Sequence, residues 1–512
     1  ERTHELFARL IKNNTEQRGI LYTSKADIVG FKNPEELAEK YNNVLYHRHQ
    51  YARIEIFKNH FYIKEYDENV YEIIYKLKRY AESGIKNYTH SVDLWMKNSG
   101  LIIDCDEKKN ALRNLFKNSK VAFIYGAAGT GKSTMINYIS SLFKDKQKIF
   151  LANTNPAVEN LRRKVTAEHA EFVTITKFLS KDVSNDCDIL CLDECSTISN
   201  RDMVRVLQRA QCKLLVLVGD IYQIESILFG NWFNIAYKVM PKDSVAELTR
   251  PHRTTVQGLI EVWNKVREIT EDRLEFITRN GLSSTLDESI FSRTEEDEIV
   301  LCLNYDGIYG INNINKFLQS NNVNPSINWG VLSYKVGDPV LFNESNRFAP
   351  LVYNNLKGKI LQIEEEEDCI YFTIEVYTVL NELDVIGFDL ELKESVTDET
   401  SVIRFKVGRG GDGNDDNDNV ENVVPFQVAY AISIHKAQGL EYESVKVVIT
   451  SEIEEMVSHN IFYTAITRAK SKLKIYWSPE TEKRILENMK VQFNDKDYQL
   501  FKAKYKEALL KS

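Results

Sequence analysis

The stretch VAFIYGAAGTGKSTMINYI, Val121 to Ile139, constrains the fold more tightly than any other part of the chain. An apolar run breaks into a glycine-rich turn and resumes as an amphipathic run. Gly126, Gly131, Lys132 and Ser133 occupy the fixed positions of the P-loop pattern G-x-x-x-x-G-K-[ST], which predicts a strand, a tight turn and a helix in that order. Gly126, Gly129 and Gly131 let the backbone turn and aim N–H groups at phosphate oxygens. The helix opening at Lys132 adds its positive end. Lys132 is expected on the β- and γ-phosphates, and Ser133, followed by Thr134, beside Mg²⁺. The stretch therefore predicts a nucleoside triphosphate site with Mg²⁺ beside the phosphates.

Short apolar runs recur on both sides of this turn. VAFIYG, KIFLANT, DILCLDE and KLLVLVGD are each followed by a more polar, helix-like segment. Continuous hydrophobic strands of this kind suit a parallel sheet covered on both faces. A second set follows: EIVLCLN, VVPFQVAYAIS (Val423 to Ser433), SVKVVIT and KLKIYW. Two α/β units are predicted. Between them, residues 336 to 424 alternate apolar and polar and read as strands of a small barrel. The low-complexity run Gly408 to Asn419 reads as a loop. It lacks the glycine and glutamate of a calcium loop, so a calcium site is rejected.

Residues 1–103 are mixed and rich in Tyr, Lys and Glu, and no function is assigned to them. Val70 to Gly84 has helical spacing with Gly84 as its expected C-cap. His47 to His49 read as surface polar residues rather than a metal or phosphate contact. The tail, 481–512, reads as helical and charged.

Composition narrows the class. The chain has 512 residues, net charge −8 and a sequence pI near 5.8. This excludes only a globally basic binder, because a local basic groove can still hold nucleic acid. The 26 Tyr and 24 Phe suffice for cores and for base stacking. Cys187, Cys191 and Cys195 lack a C-x-x-C pair and read as thiols around a strand, not a zinc site. No secretory leader and no membrane-length apolar run is evident, so a reducing cytoplasm and no membrane partner are expected. The first residue is Glu1 rather than Met, so a longer native N-terminus is expected.

Five stretches behind the P-loop carry further chemistry. ILCLDECS ends a strand in Asp193-Glu194, 61 residues after Lys132. Asp193 is a candidate Mg²⁺ ligand, and Glu194 a candidate for orienting and deprotonating water. LVLVGDIYQI offers Gln223 as a phosphate sensor. ELTRPHRT offers Arg250 and Arg253. AISIHKAQGLEYESV carries Ser433, His435, Gln438, Gly439 and Glu441, and FYTAITRAK carries Tyr463, Thr464, Thr467 and Arg468.

In this order the motifs resemble those of superfamily 1 helicases, and the last two are similar to the RecD/Dda-like branch, superfamily 1B. The match covers about residues 104 to 480. The resemblance implies two RecA-like domains with ATP between them: 104–285 as the first, and 286–345 with 425–480 as the second. It further implies an inserted SH3-like β domain at 346–424, an accessory region at 1–103 and a helical tail at 481–512. Lys132, Ser133, Asp193, Glu194 and Gln223 would belong to the first domain. Gln438, Gly439 and Arg468 would close from the second, with Arg253 and Arg468 as paired arginine fingers. Thr154, Asn155 and Pro156 fit motif Ia, and Thr176 fits motif Ib. Both would lie on single-stranded nucleic acid, as would Ser433 and His435. The implied activity is an ATP-driven helicase or translocase on single-stranded DNA, moving 5′→3′ by about one nucleotide per ATP, its grip supplied by phosphate contacts and base stacking. An RNA helicase, or an ATPase switch that gates a protein effector, are the alternatives.

Two features depart from the pattern. Lys108 stands where the family carries an adenine-reading glutamine, and a lysine cannot copy the paired donor–acceptor face of an amide, so use of triphosphates other than ATP is expected. Only sixteen residues separate Thr176 from Asp193, so a strand-separating β-hairpin pin is not expected there.

Overall fold

The computed structural model describes residues 2–510, except 128, 181–183, 224–228, 251–253, 344–346, 350, 396, 410–421 and 490–494. The chain divides into two units, Glu1–Arg253 with Lys490–Ser512, and Thr254–Met489.

In the first unit, six parallel strands form the P-loop sheet. Their order is Ala170–Thr174, Lys148–Ala152, Asp186–Leu192, Gln211–Gly219, Val121–Gly126 and Val245–Leu248. The apolar runs are continuous because both faces are covered. Val121, Phe123 and Tyr125 enter one core, whereas Ala122 and Ile124 enter the other with Met135, Ile136 and Ile139 of the helix Lys132–Leu142. Each such fully buried large side chain is worth about 1.5–3 kcal/mol.

The N-terminal region supplies part of that cover. Val70, Ile73, Ile74 and Leu77 lie on one face of the helix Lys64–Ala81 and join the core of Phe123 and Tyr125. This helix starts six residues before the predicted Val70, and Gly84 is not its cap. Gly84 is needed for close approach, since a Cβ there would stand 2.1 Å from the Lys117 carbonyl oxygen. A small antiparallel sheet, Thr23–Ser24, His60–Ile63 and Ile54–Phe57, precedes the helix.

The predicted tail comprises two helices. Pro479–Asn488 lies in the second unit, whereas Asp495–Leu510 folds onto the N-terminal region of the first. Asp497, 2% exposed, accepts the Leu21 N–H at 2.7 Å and the Tyr22 N–H at 3.0 Å. Buried Asp67 accepts hydrogen bonds from Tyr22, Tyr505 and Lys504. Two ends of the chain are thus tied through two carboxylates.

The second unit holds a five-stranded parallel sheet, ordered Ser283–Ser284, Ala469–Tyr476, Tyr442–Val448, Glu298–Cys302 and Ala431–Ser433. Its buried ion pair, Lys446 Nζ to Glu298 Oε1 at 3.0 Å, is completed by Thr294 and Ser444 hydroxyls on Glu298. A six-stranded antiparallel sheet interrupts it, ordered Glu391–Lys393, Ser401–Gly408, Cys369–Val376, Lys357–Glu365, Pro339–Phe342 and Phe426–Val428. The run Val423 to Ser433, read from sequence as one strand, is therefore two. Phe426–Val428 pairs with Pro339–Phe342, and Ala431–Ser433 pairs with Glu298–Cys302. Most of the rejected calcium loop lies outside the described residues.

Asp497→Ala would leave two buried N–H groups unpartnered and destabilise the first unit by about 2–4 kcal/mol. Faster hydrogen exchange at Leu21 and Tyr22 is the readout.

Candidate nucleotide and nucleic-acid site

Ligands of open parallel sheets bind beyond the carboxyl ends of the strands. In the first unit that edge gathers the P-loop after Val121–Gly126, the acid pair after Asp186–Leu192, and Asp220 with Gln223 after Gln211–Gly219.

The P-loop turn depends on glycine. Gly129 and Gly131 have φ of 77° and 85°. Gly131 opens the helix with no side-chain cap, so the first backbone N–H groups are left for an anion. A Cβ on Gly126 would stand 2.5 Å from Thr130 Oγ1. Lys132 Nζ donates to the carbonyls of Gly126 at 2.8 Å and Ala127 at 2.9 Å. Ser133 and Thr134 follow on the first helical turn, both half-buried.

Asp193 Oδ1 accepts the Glu194 N–H at 2.8 Å. Burial raises the Asp193 carboxyl above the ordinary carboxylate range, while the Glu194 N–H and the charge of Lys132 pull it down. A divalent cation would relieve that burial, so the Ser133 hydroxyl and Asp193 carboxylate suit Mg²⁺ as hard oxygen donors. Glu194 has φ 51°, a left-handed backbone that is unfavourable for a residue with a Cβ. Asp220 is 3% exposed; its Oδ1 accepts the Tyr222 N–H at 3.1 Å, and the Gln223 N–H donates to the Asp220 carbonyl at 3.3 Å. Gln223 is half-buried. Arg253 lies outside the described residues.

Lys108 is 1% exposed on the helix Asp106–Asn114. Its Nζ donates to Asp104 Oδ2 at 2.5 Å and lies against Gly131, where a Cβ would meet it at 2.5 Å. Spacing did not bring out Asp104, which stands four residues before Lys108 and just ahead of the helix Asp106–Asn114.

Along the same edge, Thr154 caps the helix Asn155–Lys164 by accepting the Ala157 N–H at 3.4 Å. Thr154 and Asn155 are exposed, whereas Pro156 is buried in the first turn. Thr176 is exposed on the helix Ile175–Leu179. From Ser180 to the strand at Asp186, the described residues contain no strand.

In the second unit, Ser433 ends a strand and its Oγ accepts the Lys436 N–H at 3.2 Å. His435 is exposed, Gln438 is half-buried, and Gly439 has φ 75°. Arg468 is 3% exposed. Its guanidinium donates to the carbonyls of Thr464 at 3.0 Å and Leu440 at 3.2 Å. Cys187, Cys191 and Cys195 are buried, and burial raises all three thiols, Cys187 to about 12. No helix among the described residues is long and apolar enough to cross a membrane.

A parallel sheet with this strand-end chemistry defines a P-loop nucleotide-binding protein. The AAA domain family matches residues 105–287, and the UvrD-like helicase C-terminal domain family matches residues 428–476. An uncharacterized protein of Methanocaldococcus jannaschii is 24% identical, over 72% of this chain and 37% of that protein. The RecD subunit of the RecBCD enzyme from Buchnera aphidicola is 23% identical, over 76% of this chain and 78% of the subunit. An ATP-dependent DNA helicase Pif1 of Campylobacter jejuni is 23% identical, over 69% and 88%. The crystal structure of Bacteroides Pif1 bound to ssDNA overlays with a TM-score of 0.46 at 17% identity, covering 80% of this chain and 98% of that one. With its ordered motifs, the chain is similar to the RecD/Pif1-like branch of superfamily 1 helicases.

Gly131→Ala would impose a left-handed alanine, costing about 1–2 kcal/mol, and drive its Cβ into Lys108. Nucleotide binding, followed with a fluorescent ATP analogue, is expected to be lost. Adding Lys108→Ala relieves the clash but not the backbone strain, so recovery stays partial.

Proposed function

We propose that this chain is an ATP-driven helicase or translocase that acts on single-stranded DNA and moves 5′→3′. One observation carries the reading. The nucleotide-side segment is hydrogen-bonded to the segment that leads to the strand-side residues. The Asp193 N–H donates to the Leu151 carbonyl at 2.8 Å, and Asn153 Nδ2 donates to the Thr197 carbonyl at 3.0 Å. Thr154 follows directly. These bonds link the acid pair to the turn that carries the exposed Thr154 and Asn155.

The chain's own groups divide the work. The N–H groups opening the helix at Lys132 hold the phosphates. Lys132 exchanges the carbonyls of Gly126 and Ala127 for the β- and γ-phosphates. Ser133 and Asp193 hold Mg²⁺, which neutralises charge on the phosphate oxygens. Glu194 orients the attacking water and accepts its proton. Gln223 responds to loss of the γ-phosphate. The roles of Arg253, Gln438, Gly439 and Arg468 in hydrolysis, and of Thr176, Ser433 and His435 on the strand, rest on the motif resemblance, as does the SH3-like assignment of the inserted sheet.

The Lys108–Asp104 pair bears on the base. Asp104 supplies the acceptor that Lys108 lacks. Together they offer a donor for a purine N7 and an acceptor for a 6-amino group, the face an amide would present. A 6-oxo group would instead meet the Asp104 carboxylate with no proton to share.

ATP hydrolysis by the purified chain, with and without single-stranded DNA or RNA, tests this. DNA is expected to stimulate hydrolysis. Lys132→Ala and Glu194→Gln are expected to lower kcat about 100-fold or more. ATP is preferred to GTP in the wild type, and Asp104→Asn narrows that preference by about tenfold. Hydrolysis indifferent to both polymers would overturn the motor reading.

A further inference from the structure

Residues 45–60 lie outside both matched families and have no place in the nucleotide site. This segment links the helix Pro34–Val44 to the strand Ile54–Phe57. Among the described residues only five tyrosines are well exposed, and two are here: Tyr46 at 55% and Tyr51 at 50%. Most of the others lie in cores or half-covered, so exposure of two within six residues calls for a reason.

Four rings make a continuous series. Tyr46 and His47 have centroids 4.2 Å apart, Tyr46 and His49 5.8 Å, and His49 and Tyr51 5.9 Å. His47 and His49 are themselves exposed. The rings sit on a held backbone. The His49 N–H donates to the Tyr46 carbonyl at 2.7 Å, and Gln50 Nε2 donates to the Leu45 carbonyl at 3.4 Å. Beneath them, the Asn42 side-chain amide clasps the Ile54 backbone through two bonds, at 2.8 and 2.9 Å. Rings fixed in this way lose little freedom when a flat partner settles on them.

The net charge of this segment is opposite in sign to that of the whole chain. Arg48, Arg53 and Lys58 share the segment with a single carboxylate, Glu55, which is occupied by the Tyr62 hydroxyl at 2.9 Å. All three cations are exposed, and Arg48 forms no ion pair among the described residues. Exposed aromatic faces interleaved with cations are the requirements of unpaired bases on a charged backbone. An apolar protein partner would not call for three cations, and a metal site would not call for tyrosine faces.

We propose that this segment is a second single-strand site, on which unpaired bases stack against Tyr46 and Tyr51 while Arg48, Arg53 and Lys58 meet the phosphates. The proposal rests on the reading of the chain as a single-strand translocase. The accessory region then holds a strand at a point separate from the strand-end grip at Thr154. The stacking is indifferent to sequence, because every base has a face.

Equilibrium binding of fluorescein-labelled oligothymidylate to the full chain tests it. Tyr46→Ala with Tyr51→Ala is expected to weaken binding about tenfold or more, and Tyr46→Phe with Tyr51→Phe to stay within about twofold. Arg48→Ala is expected to reduce the salt dependence by about 0.7 in log–log slope. Photo-crosslinking with 4-thiothymidine in the same oligonucleotide should label the peptide that contains Tyr46 and Tyr51. Unchanged binding by the alanine pair overturns the proposal and leaves the face to a protein partner. Equal loss in the phenylalanine pair overturns stacking. A wild-type chain that does not bind the oligonucleotide defeats the translocase reading itself, which separates the two failures.

Discussion

The left-handed backbone at Gly131 is the constraint on which the rest of the nucleotide site depends. With φ at 85° and no Cβ, the chain turns from the strand Val121–Gly126 into the helix Lys132–Leu142 within a few residues. That turn leaves the helix uncapped, with N–H groups available to an anion, and it makes room for the Lys108 ammonium. Any residue with a Cβ would have to displace that cation and adopt a costly backbone. The turn of the P-loop, the placement of Lys132 and the space for Lys108 follow from one missing side chain.

Around this turn, the sheet supplies the support. Its strands are buried on both faces, so they are stiff, and chemistry is confined to their carboxyl ends. The strand that ends in Asp193 lies beside the one that leads to Thr154, and hydrogen bonds join their ends. The positive φ at Glu194 is strain held at that junction. The first unit thus contains both a phosphate cradle and a route from it to exposed polar side chains. The N-terminal region belongs to this unit physically, because its helix Lys64–Ala81 covers the sheet and the terminal helix Asp495–Leu510 clamps it through Asp67 and Asp497.

Much of this was legible in the sequence, for reasons that differ by element. Strands such as Asp186–Leu192 and Gln211–Gly219 are unbroken apolar runs because they are central. The edge strands Ala170–Thr174 and Val245–Leu248 are short and partly exposed, so no such run marks them. Lys132 and Asp193 were fixed by spacing, since local geometry dictates a P-loop and a strand-end acid. Asp104 escaped because its meaning depends on Lys108 being buried, and a salt bridge one turn apart usually lies in solvent. The clamp by Asp67 and Asp497 joins residues more than four hundred positions apart, a contact that no local pattern encodes. The break inside Val423 to Ser433 was hidden because two adjacent strands in different sheets read as one apolar run. Tyr46 and Tyr51 carried no motif; only their exposure sets them apart.

In the proposed function, one chain turns hydrolysis into directed movement along a strand. Displacement of streptavidin from biotinylated single-stranded DNA tests this most directly, with the label at either end and ATP as the only fuel. The account predicts rapid release from the 3′ end, none from the 5′ end, and none from either with Glu194→Gln. DNA-stimulated hydrolysis without release from either end would contradict it and make the protein a strand-sensing switch.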